Sequence, residues 1–494
     1  MARRGRHRRR TVELSRYQGF IRQWDAFTAA AARPEPTVFR VRTGRVTEAD
    51  LLERLERQGF RLAPVEGLPA FYRVEDEPYP LSMTLEHWAG LVYVQQASTG
   101  VAPPELGARP GERVLDLCSA PGGKTTHLAE LMDDDGCLVA SEIDERRIRG
   151  LLGNVYRLCH PNVVAVACDG RNFPESALFD RVLVDAPCSG EGTLRRRSGD
   201  VPNQSSSFLG YVTGVQRALL EKAVRLCRPG GTILYVTCTF SPDENEAVVS
   251  DVLGSCPVEL EPLRLRVPHA KGLTAFEGTT FDARLEGAAR IYPHHLDSGG
   301  LFMAKLRRLA ADVTVEPHTG WRPVPIAFPD GALAEDDARA LVARALPAVA
   351  ERYGVPPSEL ERWGWIVRGG RIWLHAAGEW PLKAWADGPW RPISVGVRAL
   401  ELDSRGRPRP TNDFLRLVGA HVSRARVDLT GAQLGSLLDG RAEPVAGELL
   451  GPIALAFEGE VVGRGALTPG GLLSEIPKAR AADLRRALAT AATS

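Results

Sequence analysis

Two cysteines follow short apolar segments in the middle of the chain. Cys188 lies in the string DAPCSGEG at 185–192, and Cys238 lies in the string TCT at 237–239. A thiolate is the nucleophilic form of cysteine and can form covalent intermediates with a substrate. Packing explains a cysteine inside an apolar strand, but these two come after the apolar stretch has ended, and the carboxylate of Asp185 accompanies them. The pattern favours a catalytic site with two thiols.

A third string, DLCSAPGGKT at 116–125, also follows an apolar segment. Its small residues let backbone N–H groups approach a ligand at the start of the next helix, where anionic groups are favoured. The spacing fits neither the GxxxxGK[ST] phosphate loop nor GxGxxG. Glu142 ends the next apolar segment, where a carboxylate can accept hydrogen bonds from both ribose hydroxyls of an adenosine cofactor. Asp169 ends the third and is predicted to meet the adenine edge; each acid alone could instead cap a helix or turn.

The elements that must position these residues alternate along residues 111–308. The predicted strands are Val114–Leu117, Cys137–Glu142, Val163–Cys168, Arg181–Asp185 and Thr232–Thr237. Between them lie helices whose apolar residues recur with a 3.6-residue period, the last one ending at 228–231. Such alternation predicts βαβ units and a parallel, doubly wound sheet. The three strings then meet outside the carboxyl ends of the strands, where such sheets bind ligands.

The length of 494 residues exceeds one ordinary core. We predict an N-terminal accessory domain at 1–105, a catalytic domain at 106–308, a linker with a first C-terminal domain at 309–385, and a small β-rich domain at 386–494. Seven of the nine tryptophans fall between 321 and 390. They form either a stacking platform for bases or, as is commoner, part of a domain core.

The composition excludes several classes of protein. Hydrophobic residues make up 44% and charged residues 25%, the profile of a globular protein. No uncharged apolar run reaches the length of about 18 residues that spans a bilayer, and no apolar stretch follows the basic start, as a secretory signal requires. The eight cysteines contain no CxxC pair, which argues against a metal cluster and fits a reducing compartment. We expect a cytoplasmic protein with no metal and no membrane segment.

Positive charge is local, since the formal net charge is only +1. One basic cluster is a tail with arginines at 3, 4, 6, 8, 9 and 10, and the other is Arg195, Arg196 and Arg197. A solvated tail is the commoner interpretation of such a run, and an arm that binds RNA phosphates is the alternative.

The three strings resemble the motifs of a known enzyme family. DLCSAPGGKT, DAPCSGEGTLRR and YVTCTFSPDENEAVV are similar to those of the RsmB/RsmF/NSUN family of RNA cytosine-C5 methyltransferases, and the similarity spans roughly 80–308. The string LSEIPK at 473–478 is similar to the end of the RsmF branch, in which a PUA-like RNA-binding module follows the methylase and small-subunit ribosomal RNA is the substrate. The segment 198–209 departs from the family, because it lacks the acidic-Pro and Trp pattern found there.

This resemblance implies a fold, a cofactor and residue roles. The fold would be a Rossmann-like α/β class I S-adenosylmethionine-dependent methyltransferase with a small N-terminal domain and a C-terminal PUA-like RNA-binding region. Cys238 would be the nucleophile, Cys188 would assist release of the product, and Asp185 would hold the N3/N4 edge of the base. The cofactor site would be lined by Cys118, Ser119, Ala120, Pro121, Gly122, Gly123, Lys124, Glu142, Arg147, Asp169 and Asp185. The expected partner is RNA, 16S ribosomal RNA or the small subunit, and the protein is expected to be a monomer.

The chemistry of cytosine agrees with these roles. Carbon 5 is a poor nucleophile, so a thiolate must first add at carbon 6 before carbon 5 can attack a methyl donor. The adduct must then lose the proton on carbon 5 and the thiol. The target base must also leave its stack to reach the crevice, which requires an unpaired or flippable cytosine.

Three alternatives stay open. The substrate could be transfer RNA, or the chain could be a non-catalytic RNA-binding assembly factor on a methyltransferase fold. It could also be a DNA cytosine-C5 methyltransferase, in which the Pro-Cys string supplies the nucleophile. The acids and both cysteines argue against the non-catalytic factor, and the Thr-Cys string and the PUA-like end favour RNA over DNA.

Overall fold

The computed structural model describes residues 14–175, 178–196, 205–309, 335–376, 392–404, 406–445 and 449–491. Outside these residues lie the arginine-rich tail at 3–10, Arg197, Trp321 and residues 310–329 of the predicted linker. Within the described part of the chain, no helix is long and apolar enough to cross a membrane.

The N-terminal region combines a small sheet with short helices. Its strands are β1 (Val38–Val41), β2 (Arg61–Pro64), β3 (Phe71–Asp76) and β4 (Val92–Val94). Its helices are α1 (Trp24–Ala31), α2 (Glu48–Arg57), α3 (Leu85–Ala89) and α4 (Ala97–Leu106), preceded by a 3₁₀ turn at Leu14–Tyr17. The antiparallel sheet has the order β2-β3-β1-β4. Side chains of Thr47 and Thr84 cap the N-termini of α2 and α3, which explains where these helices begin.

The central region contains the predicted alternating pattern. Its strands are β5 (Arg113–Asp116), β6 (Cys137–Glu142), β7 (Val163–Ala167), β8 (Phe179–Asp185), β9 (Cys227–Thr237), β10 (Val258–Glu261), β11 (Ala270–Lys271), β12 (Ala275–Phe276), β13 (Thr279–Thr280), β14 (Ala289–Ile291) and β15 (Leu301–Arg308). Its helices are α5 (Gly123–Leu131), α6 (Glu145–Leu158), α7 (Ser206–Leu226), α8 (Glu246–Ser255) and α9 (Pro293–Leu296). The main sheet has the order β7-β6-β5-β8-β9-β15-β14. β5 to β9 are parallel and β15 is antiparallel to β9, which confirms the predicted Rossmann-like methyltransferase fold.

The predicted strands are β5 to β9, with shifted ends. β9 begins at Cys227 rather than at Thr232, because Cys227 already pairs with Phe179 of β8. The segment 228–231, expected only to end α7, therefore belongs to the strand. At their carboxyl ends, where the site lies, β6, β8 and β9 stop at the predicted residues.

Both faces of the main sheet are buried, as a parallel sheet requires. On one face Leu115 and Ile233 pack with Leu219 and Leu220 of α7. On the other, Leu183 packs in a cluster that draws residues from α4, α5 and α6. Helix α4, which crosses the predicted boundary between 105 and 106, therefore contributes to the core of the main sheet.

The C-terminal region forms two further small sheets. Its strands are β16 (Gly364–Arg368), β17 (Arg371–His375), β18 (Pro392–Val395), β19 (Val397–Leu402), β20 (Pro408–Pro410), β21 (Arg426–Asp428), β22 (Gly451–Phe457), β23 (Glu460–Thr468) and β24 (Gly471–Ser474). Its helices are α10 (Glu335–Tyr353), α11 (Pro357–Glu361), α12 (Asn412–Leu417), α13 (Gly431–Leu438) and α14 (Lys478–Ala491). The sheets are β16-β17-β19-β20, which continues across the predicted boundary at 385, and β21-β22-β23-β24.

The C-terminal region contains one strand pairing that was not predicted, and it decides between the two interpretations of some tryptophans. β18 pairs antiparallel with β7, so that a C-terminal strand extends the catalytic sheet at its edge. Trp363, Trp365 and Trp373 are buried, which supports the core interpretation for these three tryptophans. The predicted PUA-like character of the last sheet stays a prediction.

Candidate active site

The predicted site residues meet along one edge of the main sheet. Asp116, Glu142 and Asp185 end β5, β6 and β8, and Cys238 directly follows β9. We call residues 116–124, 142–147 and 169 the cofactor half of this crevice. The thiol half comprises residues 187–191 and 237–244. An ion pair between Lys124 and Asp185 joins the two, with Nζ 2.7 Å from Oδ2.

The loop between β5 and α5 is tightly held. The N–H and hydroxyl of Ser119 both donate to the carbonyl of Ser141, each at 2.9 Å. Gly122 adopts a φ of +105°, and a Cβ built there would lie 2.9 Å from a methyl group of Leu151. Since L side chains rarely adopt this conformation, glycine is required at the start of α5. The loop brings Cys118–Gly122 over the carboxyl edge of the sheet.

Asp116 anchors this loop from below. The carboxyl is 1% exposed, and Thr125 donates its hydroxyl hydrogen to it at 2.7 Å. Burial raises the pKa of Asp116 to about 7. Burial also raises the pKa of the Cys118 thiol, and the nearby Asp116 carboxyl acts in the same direction. Both effects favour the neutral thiol of Cys118.

Glu142 occupies the position predicted for a ribose-binding carboxylate. It is 2% exposed and accepts the N–H groups of Ala120 at 3.3 Å and of Asp144 at 3.0 Å. Arg147, which is half exposed, pairs with it at 3.3 Å and donates to the carbonyl of Ala120 at 2.5 Å. These contacts couple the carboxylate to the glycine-rich loop. The neighbouring Ile143 is 61% exposed, an apolar side chain that is absent from the sequence-predicted site.

Asp169 has a local structural role in the crevice. Its carboxylate caps the 3₁₀ turn Gly170–Asn172 by accepting the N–H of Arg171 at 3.0 Å. The guanidinium of Arg171 lies 2.6 Å away and lowers the pKa of Asp169. The capping alternative is therefore realised, and a role in cofactor binding stays a prediction.

Lys124 carries positive charge into the middle of the crevice. Burial lowers the pKa of Lys124, but the nearby carboxylate of Asp185 raises it by more, so the pKa of Lys124 is raised. The same ammonium group acts on Cys238 and favours its thiolate. The ion pair between Lys124 and Asp185 thus links the two halves of the crevice.

The two predicted cysteines are in direct contact. Their Sγ atoms lie 3.3 Å apart, and both side chains are partly exposed. A hydrogen bond from the Cys188 thiol lowers the pKa of Cys238, although burial acts against it. The same hydrogen bond raises the pKa of Cys188, and burial adds to the rise. These directions favour the thiolate on Cys238 and the protonated thiol on Cys188.

A buried carboxylate behind the thiols is absent from the predicted site. Glu244 is 0% exposed and accepts the N–H and the hydroxyl hydrogen of Ser189, at 2.8 and 2.6 Å. Thr239 Oγ1 lies 3.1 Å from it, and Gln216 donates from Nε2 at 3.0 Å. The sequence contains one hint of this group, since Glu244 lies within the string that continues from Cys238.

Glu191 forms a second buried carboxylate in the thiol half. The hydroxyl of Tyr17 lies 2.8 Å from both of its oxygens, and the N–H of Phe240 donates to it at 3.1 Å. Burial raises the pKa of Glu191. Arg290 supports the same segment by pairing with the buried Glu246 and donating to the carbonyl of Phe240 at 2.9 Å. The N-terminal 3₁₀ turn therefore touches the loop that carries Cys188.

The second basic cluster has a structural role where it is described. Arg195 is buried, pairs with Asp297 at 2.8 Å and donates to the backbone carbonyl of Pro34 at 2.7 Å. Arg196 is partly exposed and pairs with Glu35 at 3.1 Å. Among the described residues, no group of three or more His, Cys, Asp or Glu side chains could hold a metal ion.

The sequence and the structure match known proteins. Residues 104–307 match the family described as "16S rRNA methyltransferase RsmB/F". The chain is 33% identical over 393 residues to the ribosomal RNA small subunit methyltransferase F of Klebsiella pneumoniae (strain 342), covering 78% of this chain and 77% of that protein. It is 30% identical over 473 residues to the protein of the same name from Aeromonas salmonicida (strain A449), covering 92% of each.

Solved structures show the same fold over 60% of this chain. A methyltransferase homolog protein from Pyrococcus horikoshii aligns with a TM-score of 0.54 and 34% identity, covering 60% of this chain and 94% of that one. NSun6 from Pyrococcus horikoshii, solved with SFG, aligns with a TM-score of 0.51 and 20% identity, covering 60% and 97%. The second likeness concerns the fold alone.

Proposed function

Because this chain belongs to the RsmB/F family of 16S rRNA methyltransferases, we propose that it methylates carbon 5 of a cytosine in 16S ribosomal RNA with S-adenosylmethionine as methyl donor. The observation that carries this proposal is the 3.3 Å contact between Cys188 and Cys238 at the carboxyl edge of the sheet. A pair of thiols beside an ammonium–carboxylate pair suits addition to a pyrimidine and release from it.

The residues of the cofactor half fit S-adenosylmethionine. When bound there, this cofactor supplies an electrophilic methyl group. Glu142 would accept hydrogen bonds from the ribose hydroxyls, and the exposed Ile143 offers an apolar surface to the adenine ring. The loop Cys118–Lys124, together with Arg147, Asp169 and Asp185, would complete the binding site.

Cys238 would begin the reaction on the base. Its thiolate adds to carbon 6, an S–C bond forms, and the π electrons of the C5–C6 double bond make carbon 5 nucleophilic. Asp185, held by Lys124, would bind the N3/N4 edge of the cytosine. The hydrogen bond from Cys188 and the charge of Lys124 both favour the attacking thiolate.

Cys188 would act in the release of the methylated base. Once carbon 5 carries the methyl group, a water molecule accepts its proton, the C–H electrons form the C5–C6 double bond again, and the S–C6 bond breaks to return Cys238 as a thiolate. Because Cys188 keeps its proton and lies 3.3 Å away, it can donate a hydrogen bond to that departing sulfur. This is how a second thiol would assist release.

Bisulfite sequencing tests the proposal directly. Purified protein incubated with 16S ribosomal RNA and S-adenosylmethionine should protect at least one cytosine from conversion, and total RNA from a deletion strain should lose that protection. Protection in transfer RNA alone would support the transfer RNA alternative. Binding of S-adenosylmethionine and RNA without methylation of either RNA would support the non-catalytic alternative.

We further propose that the last sheet, β21-β22-β23-β24, belongs to a PUA-like module that supplies RNA affinity. A chain ending at Arg308 would also lose β18 and expose the edge of β7, so a chain ending after residue 425 is the better test. We expect it to bind S-adenosylmethionine like the full chain and to bind its RNA about tenfold or more weakly, since cationic and stacking contacts carry RNA affinity. Unchanged RNA affinity in a filter-binding assay would refute the assignment.

A further inference from the structure

Glu244 lies directly behind the two thiols. It follows Cys238 along the chain, its side chain is 0% exposed, and Ser189, Gln216 and Thr239 form hydrogen bonds with its carboxylate. Its own backbone is fixed, because the hydroxyl of Tyr235 donates to its carbonyl at 2.7 Å. A buried carboxylate is retained in a fold only where hydrogen bonds compensate for its desolvation.

The carboxylate holds the Cys188 loop on both sides of the thiol. On one side, Ser189 donates its N–H at 2.8 Å and its hydroxyl hydrogen at 2.6 Å. On the other side, Gln216 joins Glu244 to Pro187: its Nε2 donates to the Glu244 carboxylate at 3.0 Å and to the carbonyl of Pro187 at 2.8 Å. Both residues that flank Cys188 are therefore tied to Glu244.

The same carboxylate holds the Cys238 loop. Thr239, the residue after Cys238, has its hydroxyl 3.1 Å from the Glu244 carboxylate and 2.8 Å from the hydroxyl of Ser189. Glu244 thus contacts the residue that follows each thiol. Two further contacts join the loops: the N–H of Gly192 donates to the carbonyl of Cys238 at 2.8 Å, and Glu191 accepts the N–H of Phe240 at 3.1 Å.

We propose that Glu244 is a positioning residue that sets the contact between Cys188 and Cys238. The catalytic consequence rests on the proposed function, whereas the contact itself does not. The two loops follow the paired strands β8 and β9, which bring them side by side, and Glu244 ties together the residues that follow the two thiols. Displacement of a reacting group by about 1 Å can cost a rate factor of about 10², so the carboxylate would act on turnover without touching the substrate.

The glutamine variant separates hydrogen bonding from charge. In Glu244→Gln, the amide oxygen can accept from Ser189 N–H and Gln216, while the amide NH₂ can donate to the hydroxyls of Ser189 and Thr239, which also accept. The geometry of the loops is then kept and the negative charge is lost. Glu244→Ala removes both. A positioning role therefore predicts that Glu244→Gln rescues most of what Glu244→Ala loses.

Steady-state kinetics with RNA and S-adenosylmethionine provide the first test. We expect Glu244→Ala to lower kcat by about 10²-fold, with cofactor and RNA affinities close to those of the wild type, and Glu244→Gln to keep a kcat close to the wild type. Asp180→Ala is the matched control, since Asp180 is a buried carboxylate at the opposite end of β8 that accepts the N–H of Arg113 at 2.8 Å. Its kcat should not fall.

The second test measures the distance between the thiols without RNA. Diamide, an azo oxidant, takes up two electrons and two protons while the two thiols join in one S–S bond, and the protein loses the mass of two hydrogens. Wild-type protein, Glu244→Gln and Asp180→Ala should form the Cys188–Cys238 disulfide rapidly, and Glu244→Ala slowly. Peptide mapping by mass spectrometry follows the reaction.

Several outcomes would overturn the proposal. They are a wild-type rate of disulfide formation in Glu244→Ala, a kcat of Glu244→Gln as low as that of Glu244→Ala, or a wild-type protein that forms no Cys188–Cys238 disulfide. Should Glu244→Ala not fold, Ser189→Ala removes one link to the carboxylate and must slow disulfide formation. If the wild type methylates no cytosine, the proposed function fails, while the disulfide rates still decide the role of Glu244.

Discussion

The cofactor half and the thiol half of the crevice are built by different kinds of contact. In the cofactor half, Glu142 accepts the N–H of Asp144, two residues further along the chain, and that of Ala120, 22 residues before it, and Arg147 donates to the carbonyl of Ala120, 27 residues away. In the thiol half the hydrogen-bonded partners are 50 residues apart for the two cysteines, 55 for Glu244 and Ser189, and 174 for Tyr17 and Glu191. Since these partners in the thiol half are farther apart along the chain, more of the protein must fold before they meet.

This difference affects how each half should respond to substitution. A change in the cofactor half removes one group from a loop that its neighbours still hold. A change in the thiol half disturbs a buried network in which the hydroxyl of Thr239 contacts two carboxylates, those of Glu191 and Glu244. Buried networks lose more than one bond when a member is removed. We therefore expect larger and less separable effects in the thiol half.

The largest effect is expected from the thiols themselves. Cys238→Ala lacks the adding thiolate and should form neither methylated product nor a covalent RNA adduct. Cys188→Ala should still add and accept the methyl group but release the base slowly, so that an RNA-linked protein survives denaturing electrophoresis. Cys256→Ala, a cysteine remote from the crevice, is the control and should behave like the wild type.

The opposite pattern would reverse the two roles. If Cys188→Ala abolished adducts while Cys238→Ala trapped them, Cys188 would be the nucleophile, as in the DNA alternative. Unaffected turnover in both variants would exclude covalent catalysis by either thiol.

An intermediate effect is expected in the cofactor half. Glu142→Ala should weaken S-adenosylmethionine binding by about 1–3 kcal/mol, the cost of losing charge-assisted hydrogen bonds. Asp169→Ala should weaken it less, because Arg171 already occupies that carboxylate. Isothermal titration calorimetry measures both, and Glu56→Ala, which changes an exposed acid on α2 outside the crevice, is the control. An unchanged affinity in Glu142→Ala would remove Glu142 from the site.

The smallest effect concerns the titration of Cys238. Because the hydrogen bond from Cys188 lowers its pKa, Cys188→Ala should raise that pKa. The thiolate, which is the alkylated form, is present above the pKa. Alkylation of Cys238 by iodoacetamide, followed by peptide mass spectrometry from about pH 6 to about pH 10, should therefore need a higher pH in Cys188→Ala. Lys124→Ala should shift it in the same direction; a downward shift in either variant would contradict the assigned electrostatics.

The sequence by itself determined the sheet and the residues along its carboxyl edge. Hydrophobic periodicity is a local property, so it located β5 to β9, and three of these strands end where predicted. Glycine and proline mark the β5–α5 loop, since a φ of +105° at Gly122 allows few other residues. The acids and the two cysteines could be identified because each one ends or follows a predicted strand. Parallel strands bring their carboxyl ends together, so these residues were expected to meet.

Only the tertiary structure decided how far the thiols lie from each other and what holds them. Glu244, Glu191 and Tyr17 are polar residues with no periodic pattern, and their partners are distant along the chain. The pairing of β18 with β7 is equally invisible in sequence, because any exposed strand edge offers the same backbone donors and acceptors. The physical reason is common to both cases. Hydrogen bonds between distant residues depend on where the whole chain folds, and no local sequence pattern encodes that.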